Sequence, residues 1–221
     1  KTWVPTTGHI DPHFDIEHWH SDISQSELYL GCKLNSLQIG VDPDRLVSVD
    51  MDFVGKDLQD DTSAYYSSPT AETDYDLLSP AGYIYVGGSR VALLTGLQIN
   101  GVGNMMVADR AIGATRPPAI FEGNVVVNGQ VSAYFQDAAM RDYFVDETEV
   151  AIVGLFTGSN EATADLVSFV MTRCKMGGSD KDTGERGYIQ TLPFEALINV
   201  DGSATAANLK TTLSIQDSRA A

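Results

Sequence analysis

The side chains best suited to chemistry lie together near the start of the chain. Four histidines are interspersed there with carboxylates, and imidazole and carboxylate groups are good ligands for zinc and similar ions. The spacing matches no structural zinc pattern and no cysteine is nearby, so an extended polar arm whose histidines contact water or neighbouring groups is the competing interpretation. We predict no cofactor and no metal, with these histidines as the only weak metal candidates. The histidines are His9, His13, His18 and His20, and the carboxylates between them are Asp11, Asp15 and Glu17.

The remaining motifs assign no catalytic roles. Asp180, Asp182 and Gly184 resemble a calcium-binding loop, but Gly184 comes one residue early for an EF-hand and no bidentate glutamate closes the stretch. A polar hairpin turn is the better interpretation. Gly101-Val102-Gly103 is interpreted as a turn between two strands, and the chain contains no nucleophile elbow, Walker loop or dinucleotide fingerprint. The sequence therefore predicts that the protein is not an enzyme.

The composition is that of an acidic globular protein. The chain has 221 residues, 43% of them hydrophobic and 20% charged, which is typical of a folded domain and not of a disordered chain. It holds 30 acidic and 14 basic residues, and this imbalance argues against a nucleic-acid-binding face and a polybasic membrane anchor. The longest apolar runs are too short to span a bilayer. Cys32 and Cys174 stand far apart, and we predict two buried, reduced thiols.

Hydrophobicity with a period of two dominates the chain, and its clearest example lies between residues 47 and 53. The apolar residues Val47, Val49, Met51 and Phe53 alternate there with Ser48, Asp50 and Asp52. Successive side chains of a strand point to opposite faces of a sheet, so this segment has one apolar face and one acidic face. The pattern predicts a half-buried strand.

Other segments show the same strand character. Residues 125–135 and 209–216 alternate clearly between apolar and polar side chains. Further strands are predicted at residues 27–34, 36–41, 82–86, 91–99, 150–156, 166–176 and 187–200. Within 125–135, a tight turn at Asn128-Gly129 competes with one long strand that carries a bulge at Gly129.

One helix is predicted over residues 137–146. Asp137 can cap it, and Ala138, Met140, Tyr143 and Phe144 fall on one side at helical spacing. One short helix among about ten strands predicts an all-β sandwich or barrel with a helix packed on its flank.

Three segments lack a regular period, namely residues 1–26, 55–81 and 108–119. A loop as long as 55–81 is uncommon in a compact domain unless it is functional or disordered. Its tyrosines indicate a packing partner, because aromatic side chains are enriched at interfaces. We therefore divide the chain into an N-terminal arm of residues 1–26 and one domain of residues 27–221, in which residues 55–81 form a long loop.

Three stretches of the sequence together carry a family resemblance. The first is SELYLGCKLNSL at 26–37, continuing to 50–57; the second combines 121–123, 131–137 and 144–149; the third combines QTLPFEAL at 190–197 with TTLSIQDS at 211–218. The order of these motifs and the Ile-Gln-Asp-Ser ending make the match specific. Over roughly residues 8–219 the chain resembles the major tail tube protein of long-tailed, siphovirus-like bacteriophages.

The resemblance implies a structural virion protein. Such subunits have a β-sandwich or β-barrel fold with a flanking helix, form rings that are commonly hexameric, and stack these rings into a hollow tube. It further implies that residues 55–81 and 1–26 bridge successive rings, with Tyr65, Tyr66, Tyr75, Trp3 and Trp19 as contact candidates. The implied partners are copies of the chain itself, a tape-measure protein, tail terminator and tip proteins, and double-stranded DNA in transit. The implied location is the virion tail, after synthesis in the bacterial host cytoplasm and without a membrane partner.

An acidic chain suits a DNA conduit, because an acidic wall does not retain the genome as a basic wall would. Asp50 and Asp52 are therefore candidates for lining the lumen, and a solvated outer face is the open alternative. The alternative function is a carbohydrate- or receptor-binding β-sandwich of a phage tail or adhesin. That function requires aromatic residues concentrated on one face, whereas the aromatic residues here are spread along the sequence.

Overall fold

The computed structural model describes residues 2–3, 13–69, 78–91, 93–135, 138–159, 161, 164–182, 187–199 and 210–218. Strands dominate, and the prediction of an all-β fold with one helix is confirmed. The strands are β1 (Thr2–Trp3), β2 (Phe14–His20), β3 (Gln25–Val41), β4 (Ser48–Val54), β5 (Asp57–Asp61), β6 (Leu78–Val86), β7 (Ser89–Arg90), β8 (Leu94–Val102), β9 (Met106–Val107), β10 (Ile120–Phe121), β11 (Val126–Tyr134), β12 (Val150–Thr157), β13 (Leu166–Met176), β14 (Asp180–Asp182), β15 (Ile189–Ala196) and β16 (Ser214–Asp217). The helix is α1 (Ala139–Val145). Within these residues, no helix has the length and apolar character needed to cross a membrane.

Hydrogen bonds join most of the strands into one antiparallel sheet. Its order is β2-β3-β8-β11-β15-β13-β12-β6-β7, with β4 and β5 beside β3, β14 beside β15, and β16 between β13 and β1. The sheet folds over, because buried side chains of β3, β8, β11 and β15 share one hydrophobic core with those of β6, β12 and β13. Side chains alternate along each strand, so the first group of strands has a second face that points away from this core.

The strand β3 connects the core to a smaller outlying sheet. Its N-terminal half pairs with β2 on one side and β5 on the other, whereas its C-terminal half pairs with β4 and β8. Gly31 lies between the two halves with φ of 60°, a conformation that glycine adopts without strain. The Gly31 N–H donates a 2.8 Å hydrogen bond to the Asp15 carboxylate. Strands β2, β3 and β5 thus form a three-stranded extension of the fold.

Two segments that the sequence predicted as irregular contain strands. β2 lies within residues 1–26, and β5 and the start of β6 lie within residues 55–81. Most side chains of β2 and β5 are exposed or half-buried, so no apolar alternation marks these strands in the sequence. Pairing with β3 stabilises them instead. The two strands predicted at 27–34 and 36–41 are one continuous strand, β3. The division into an arm and a domain stays a prediction.

The helix α1 is shorter than predicted. It begins at Ala139 after Ala138, which makes no side-chain capping hydrogen bond, and the predicted cap Asp137 lies outside the described residues. Met140 and Tyr143 pack against the core as predicted. Phe144 is exposed, contrary to the prediction, because a helix of about two turns presents only a narrow strip of its surface to the sheet.

The strand β11 passes through Asn128-Gly129 without turning. Gly129 pairs with Ile99 of β8 and Phe194 of β15, so of the two alternatives the long strand is confirmed and the tight turn is wrong. The predicted bulge at Gly129 is also wrong, because the register shift of β11 lies between Ser132 and Ala133. The interpretation of residues 101–103 as a turn fails for the same reason, since Gly101 and Val102 continue the ladder of β8.

Gly129→Ala is expected to destabilise the protein strongly. A Cβ atom at this position would clash with the Gln98 carbonyl oxygen and would lie 2.7 Å from Cζ of Phe194. Overpacking a core costs about 1–3 kcal/mol, and more where a paired strand has to move, so we expect a loss of at least about 3 kcal/mol in urea unfolding. Gly177→Ala is the matched control, since its nearest neighbour would be Cγ of Pro193 at 3.7 Å, an ordinary contact. Equal unfolding midpoints for the two variants would contradict the expectation.

Candidate functional site

The sheet face that points away from the core carries a row of polar side chains across four strands. Asp50 of β4 is paired with Gln38 of β3. Gln38 is paired in turn with Asn100 of β8, and Asn100 with Asn128 of β11. The Asn100 side-chain amide donates a 3.4 Å hydrogen bond to Oδ1 of Asn128. The strand register therefore places Asp50 at the end of a row of three amide side chains, Gln38, Asn100 and Asn128.

The neighbouring rows are polar as well. The Ser36 hydroxyl donates a 2.5 Å hydrogen bond to the carboxylate of Asp52, its partner on β4. Nε2 of Gln130 donates a 3.3 Å hydrogen bond to Oε1 of Gln98 across the β8–β11 pair. We call the following eight side chains the polar face: Ser36, Gln38, Asp50, Asp52, Gln98, Asn100, Asn128 and Gln130. It consists of two carboxylates, five amides and one hydroxyl, none of them cationic. The same row continues past Asn128 to Glu195 of β15 and then to Lys175 of β13, which carries a positive charge.

The opposite face of β4 is apolar and uncovered. Val49 is 43% exposed, Met51 53% and Phe53 38%. These three side chains share a face with core residues of β3, since Ile39 is paired with Val49. β4 lies beyond the edge of the layer formed by β6, β12 and β13, however, so neither of its faces is buried in the single chain. The prediction of a half-buried strand is therefore wrong for the isolated subunit. Contiguous exposed apolar side chains of this kind mark interaction surfaces.

An open groove beside β4 gathers aromatic side chains from distant parts of the sequence. Its lining includes Phe14 and Trp19 of β2, Phe53 of β4, and the contact candidates Tyr65 and Tyr66. The Phe14 and Phe53 rings meet edge to face with centroids 6.1 Å apart, and those of Tyr65 and Tyr66 do so at 5.1 Å. Folding thus concentrates aromatic residues that the sequence shows as scattered.

Glu17 fixes one wall of this groove. Its carboxylate accepts a 2.5 Å hydrogen bond from the buried Ser26 hydroxyl, and hydrogen bonds of 2.7 and 2.9 Å from the backbone N–H groups of Tyr65 and Tyr66. These donors favour the ionised form, with Ser26 contributing most, and hold the pKa of Glu17 below its ordinary value. Glu17 therefore ties the segment after β5 to β2.

Acidification is expected to release this segment. Glu17 has a lowered pKa in the folded chain, so its contribution is present above the ordinary glutamate pKa of about 4.3 and is lost as the pH falls through the lower folded value. The amide proton shifts of Tyr65 and Tyr66, followed by NMR, should titrate with a midpoint below about 4.3. Glu17→Gln is the control and should abolish the titration. A midpoint at the ordinary glutamate value would contradict the carboxylate contacts.

The structure places the remaining predicted residues as follows. His18 and His20 lie on β2 with ring centroids 4.0 Å apart, close to Glu27 of β3, whereas His13 precedes β2 and belongs to no such cluster among the described residues. Trp3 belongs to β1 and is paired with Ile215 of β16. His9 and Tyr75 lie outside the described residues.

The two cysteines and the acidic stretch near residue 180 are structural parts of the sheet. Cys32 and Cys174 are both buried and free, as predicted, and burial raises the pKa of the Cys174 thiol to about 12. Burial also raises the pKa of Cys32. Asp180 and Asp182, interpreted from the sequence as part of a polar hairpin turn, belong instead to β14, which pairs antiparallel with β15. Gly184 lies outside the described residues.

Sequence reasoning missed most of the polar face. The alternation of residues 125–135 showed that Asn128 and Gln130 share one side of a strand, but it assigned them no role. Gln38, Gln98 and Asn100 were not singled out at all. Only strand register, which pairs residues far apart in sequence, shows that these amides and the two aspartates form one surface.

The comparison with known families agrees with this geometry. A family model described as "Phage tail tube protein" matches residues 5–196, which is most of the chain. No curated protein matches the chain. The extent of the family match, together with the all-β fold and its single helix, confirms the resemblance found in the sequence. The chain therefore belongs to the phage tail tube protein family and is a structural component of the virion.

Proposed function

We propose that this chain is a subunit that assembles into hexameric rings, and that these rings stack into a hollow tube for genome ejection. The observation that carries the proposal is the two-faced strand β4. Its apolar face is exposed in the single chain, and its acidic face continues into the polar face. A neighbouring copy that covers Val49, Met51 and Phe53 would leave Asp50 and Asp52 uncovered. The apolar face of β4 thus supplies a contact between subunits, and its acidic face supplies part of the lumen wall.

Strand edges support ring formation. β4 pairs only with β3 among the described strands, and β7 ends the sheet at the opposite side with β6 as its only described partner. Unpaired N–H and C=O groups of edge strands bind further strands readily. Contacts between two different edges are heterologous, and heterologous contacts generate closed rings when the rotation between copies closes. Copies of this chain can therefore continue one sheet around an axis.

The polar face is proposed to line the lumen. Amides and carboxylates provide no counter-charge for DNA phosphates, and repulsion from Asp50 and Asp52 extends only about 8 Å at physiological salt. DNA would therefore pass without being held and without being pushed far from the wall. A solvated outer face remains the alternative placement, and reversing the charges of Asp50 and Asp52 separates the two.

Electron microscopy of the purified full chain tests the assembly. Negative staining at increasing protein concentration should show annular particles or hollow filaments of uniform width. Image averaging should give six subunits around the axis. Compact monomers that persist at high concentration, under several salt conditions, would contradict self-assembly.

The aromatic groove is proposed as a contact between successive rings. Trp19, Tyr65 and Tyr66 form part of its wall, and Trp3 and Tyr75 are retained as further contact candidates from the flanking segments. Aromatic side chains supply large contact areas when they are covered. Residues 62–69, which follow β5, therefore stabilise stacking more than they stabilise the subunit.

Amide exchange should separate these two roles. In the isolated subunit we expect rapid exchange at Ala64, Ser67 and Ser68. The N–H groups of Tyr65 and Tyr66 are bound by the Glu17 carboxylate, and those of Thr62 and Ser63 by the Asp61 carboxylate, so these four should exchange more slowly. In assembled tubes the same segment should exchange slowly. The core strand β12 serves as the internal reference, since it should be protected in both states. Equal protection of residues 62–69 in both states would contradict the inter-ring contact.

We propose the remaining partners from the family resemblance. A tape-measure protein would occupy the lumen during assembly, and terminator and tip proteins would bind the two end rings. Synthesis in the bacterial host cytoplasm precedes assembly in this proposal, and no catalytic role is assigned to the chain.

A carbohydrate- or receptor-binding role is the second candidate, because the groove concentrates Phe14, Trp19, Phe53, Tyr65 and Tyr66. Stacking of sugar rings on aromatic side chains would use the same surface. A glycan array probed with the isolated subunit discriminates the two functions. Saturable binding that is lost in Trp19→Ala would favour the second candidate, and no binding would favour a groove that is filled by another copy of the chain.

A further inference from the structure

The strand pair β2–β3 brings nitrogen and oxygen ligands together on one open face. His18 and His20 are two residues apart on β2, so both imidazoles project to the same side of the strand. Their ring centroids are 4.0 Å apart. The pairing of β2 with β3 is regular from Ile16 to His20, and its register shift lies between Phe14 and Ile16. The strand itself therefore holds the two rings side by side.

Glu27 completes a cluster of three ligands. It is the direct partner of His18 on β3, so its side chain shares the histidine face. One ligand atom from each of His18, His20 and Glu27 lies within 4.8 Å of the others. His18 is exposed and the other two are half-buried, so an ion can approach from solvent.

The surroundings of Glu27 favour a bound cation. The Tyr29 hydroxyl donates a 3.0 Å hydrogen bond to Oε2 of Glu27, which orients the carboxylate, and no described residue donates a hydrogen bond to Oε1. Asp60 of β5 is the direct partner of Glu27 on the other side of β3 and adds a second negative charge. Hydrogen bonds of this kind behind a ligand are the usual support of a metal site.

We propose that His18, His20 and Glu27 form a binding site for a divalent transition-metal ion of the zinc class. Two imidazoles and one carboxylate are a typical zinc donor set with one open coordination position, whereas calcium and magnesium select oxygen ligands. Zinc bonds of about 2.0–2.2 Å require the ligand atoms to come closer than in the metal-free chain, which the exposed side chain of His18 can do by a small rotation. A bound ion cross-links β2 to β3 and so stabilises the extension that carries the aromatic groove. This site revises the expectation from sequence that the chain binds no metal.

The full-length wild-type chain tests the site directly. After removal of metals with a chelator, the chain is titrated with zinc chloride in competition with a chromophoric indicator, and magnesium chloride is titrated separately. We expect saturation at one zinc ion per chain and no comparable binding of magnesium. At free zinc about 100-fold above the Kd, the Tm should rise by about 5–10 °C. The imidazole NMR signals of His18 and His20 should shift during the same titration, while those of His13 should not.

Variants locate the ion. His20→Ala and Glu27→Gln should each lower zinc affinity at least about tenfold, and Tyr29→Phe should lower it by about tenfold through loss of the supporting hydrogen bond. His13→Ala is the matched control and should bind zinc as the wild type does. Absence of saturable binding to the wild type would overturn the proposal. An equal loss in His13→Ala and His20→Ala, or unshifted His18 and His20 signals, would place the ion elsewhere and overturn it as well.

Discussion

Changing both Asp50 and Asp52 to lysine is expected to slow or block the release of DNA from an otherwise normal tail tube. The two side chains are exposed on β4, so the change should leave the subunit fold intact. It converts a local charge of −2 per subunit into +2, repeated around every ring. Non-specific DNA binding has a Kd of roughly 10⁻⁴–10⁻⁶ M at physiological salt, or about 5–8 kcal/mol per site. A binding site in every ring would hold the genome against movement.

The measurement is the rate of DNA ejection from particles that contain the variant subunit, triggered in vitro and followed with a DNA-binding dye. Asp50→Asn with Asp52→Asn separates loss of repulsion from gain of attraction, and the amide oxygen at position 52 can still accept the Ser36 hydrogen bond. Glu161→Lys with Asp165→Lys is the matched control, since it introduces the same charge change at exposed residues beside β12 and β13. Unchanged ejection by the lysine variant would place Asp50 and Asp52 on the outer surface.

Met51→Glu is expected to prevent tube formation while leaving a folded monomer. The Met51 side chain is half exposed in the single chain, so a carboxylate there remains solvated and costs the subunit little. In the proposed ring the same side chain is covered by the neighbouring copy. An unpaired charge is then desolvated at every subunit contact, with a penalty of several kcal/mol that is repeated around the ring.

Sedimentation velocity and negative-stain microscopy measure this effect, and circular dichroism confirms the fold. Met51→Leu is the matched control, because it keeps the apolar character and nearly the volume of methionine and should assemble normally. Filaments formed by Met51→Glu at wild-type concentrations would show that the apolar face of β4 is not the ring contact.

The local pattern of the sequence was a sound guide wherever a strand has one buried face. Residues 150–156 and 166–176 alternate or are continuously apolar, and they correspond closely to β12 and β13. β2 and β5 were missed, because their stability comes from backbone pairing with β3 and their side chains remain mostly uncovered. The helix was recognised from Met140 and Tyr143, which contact the core, but its ends were not.

The candidate site was only partly visible in the sequence. The two faces of β4 followed from alternation alone, since Asp50 and Asp52 must share one side. The apolar side of β4 is exposed because the layer of strands packed against the sheet ends before it reaches β4. No local sequence pattern contains that information. The same holds for the pairing of His18 with Glu27 and for the aromatic groove, which unite residues from separate strands.

The strand-rich fold, the family resemblance, the two buried thiols and the chemical character of each strand face can all be predicted from the amino-acid sequence. These properties depend on composition and on a period of two residues, both of which are local. The folded arrangement is needed to know which strand faces are covered, which amides lie beside Asp50 and Asp52, and which ligands lie close to His18. Those features arise from register between strands that are distant in the chain, and a one-residue change in that register would move every side chain to the opposite face.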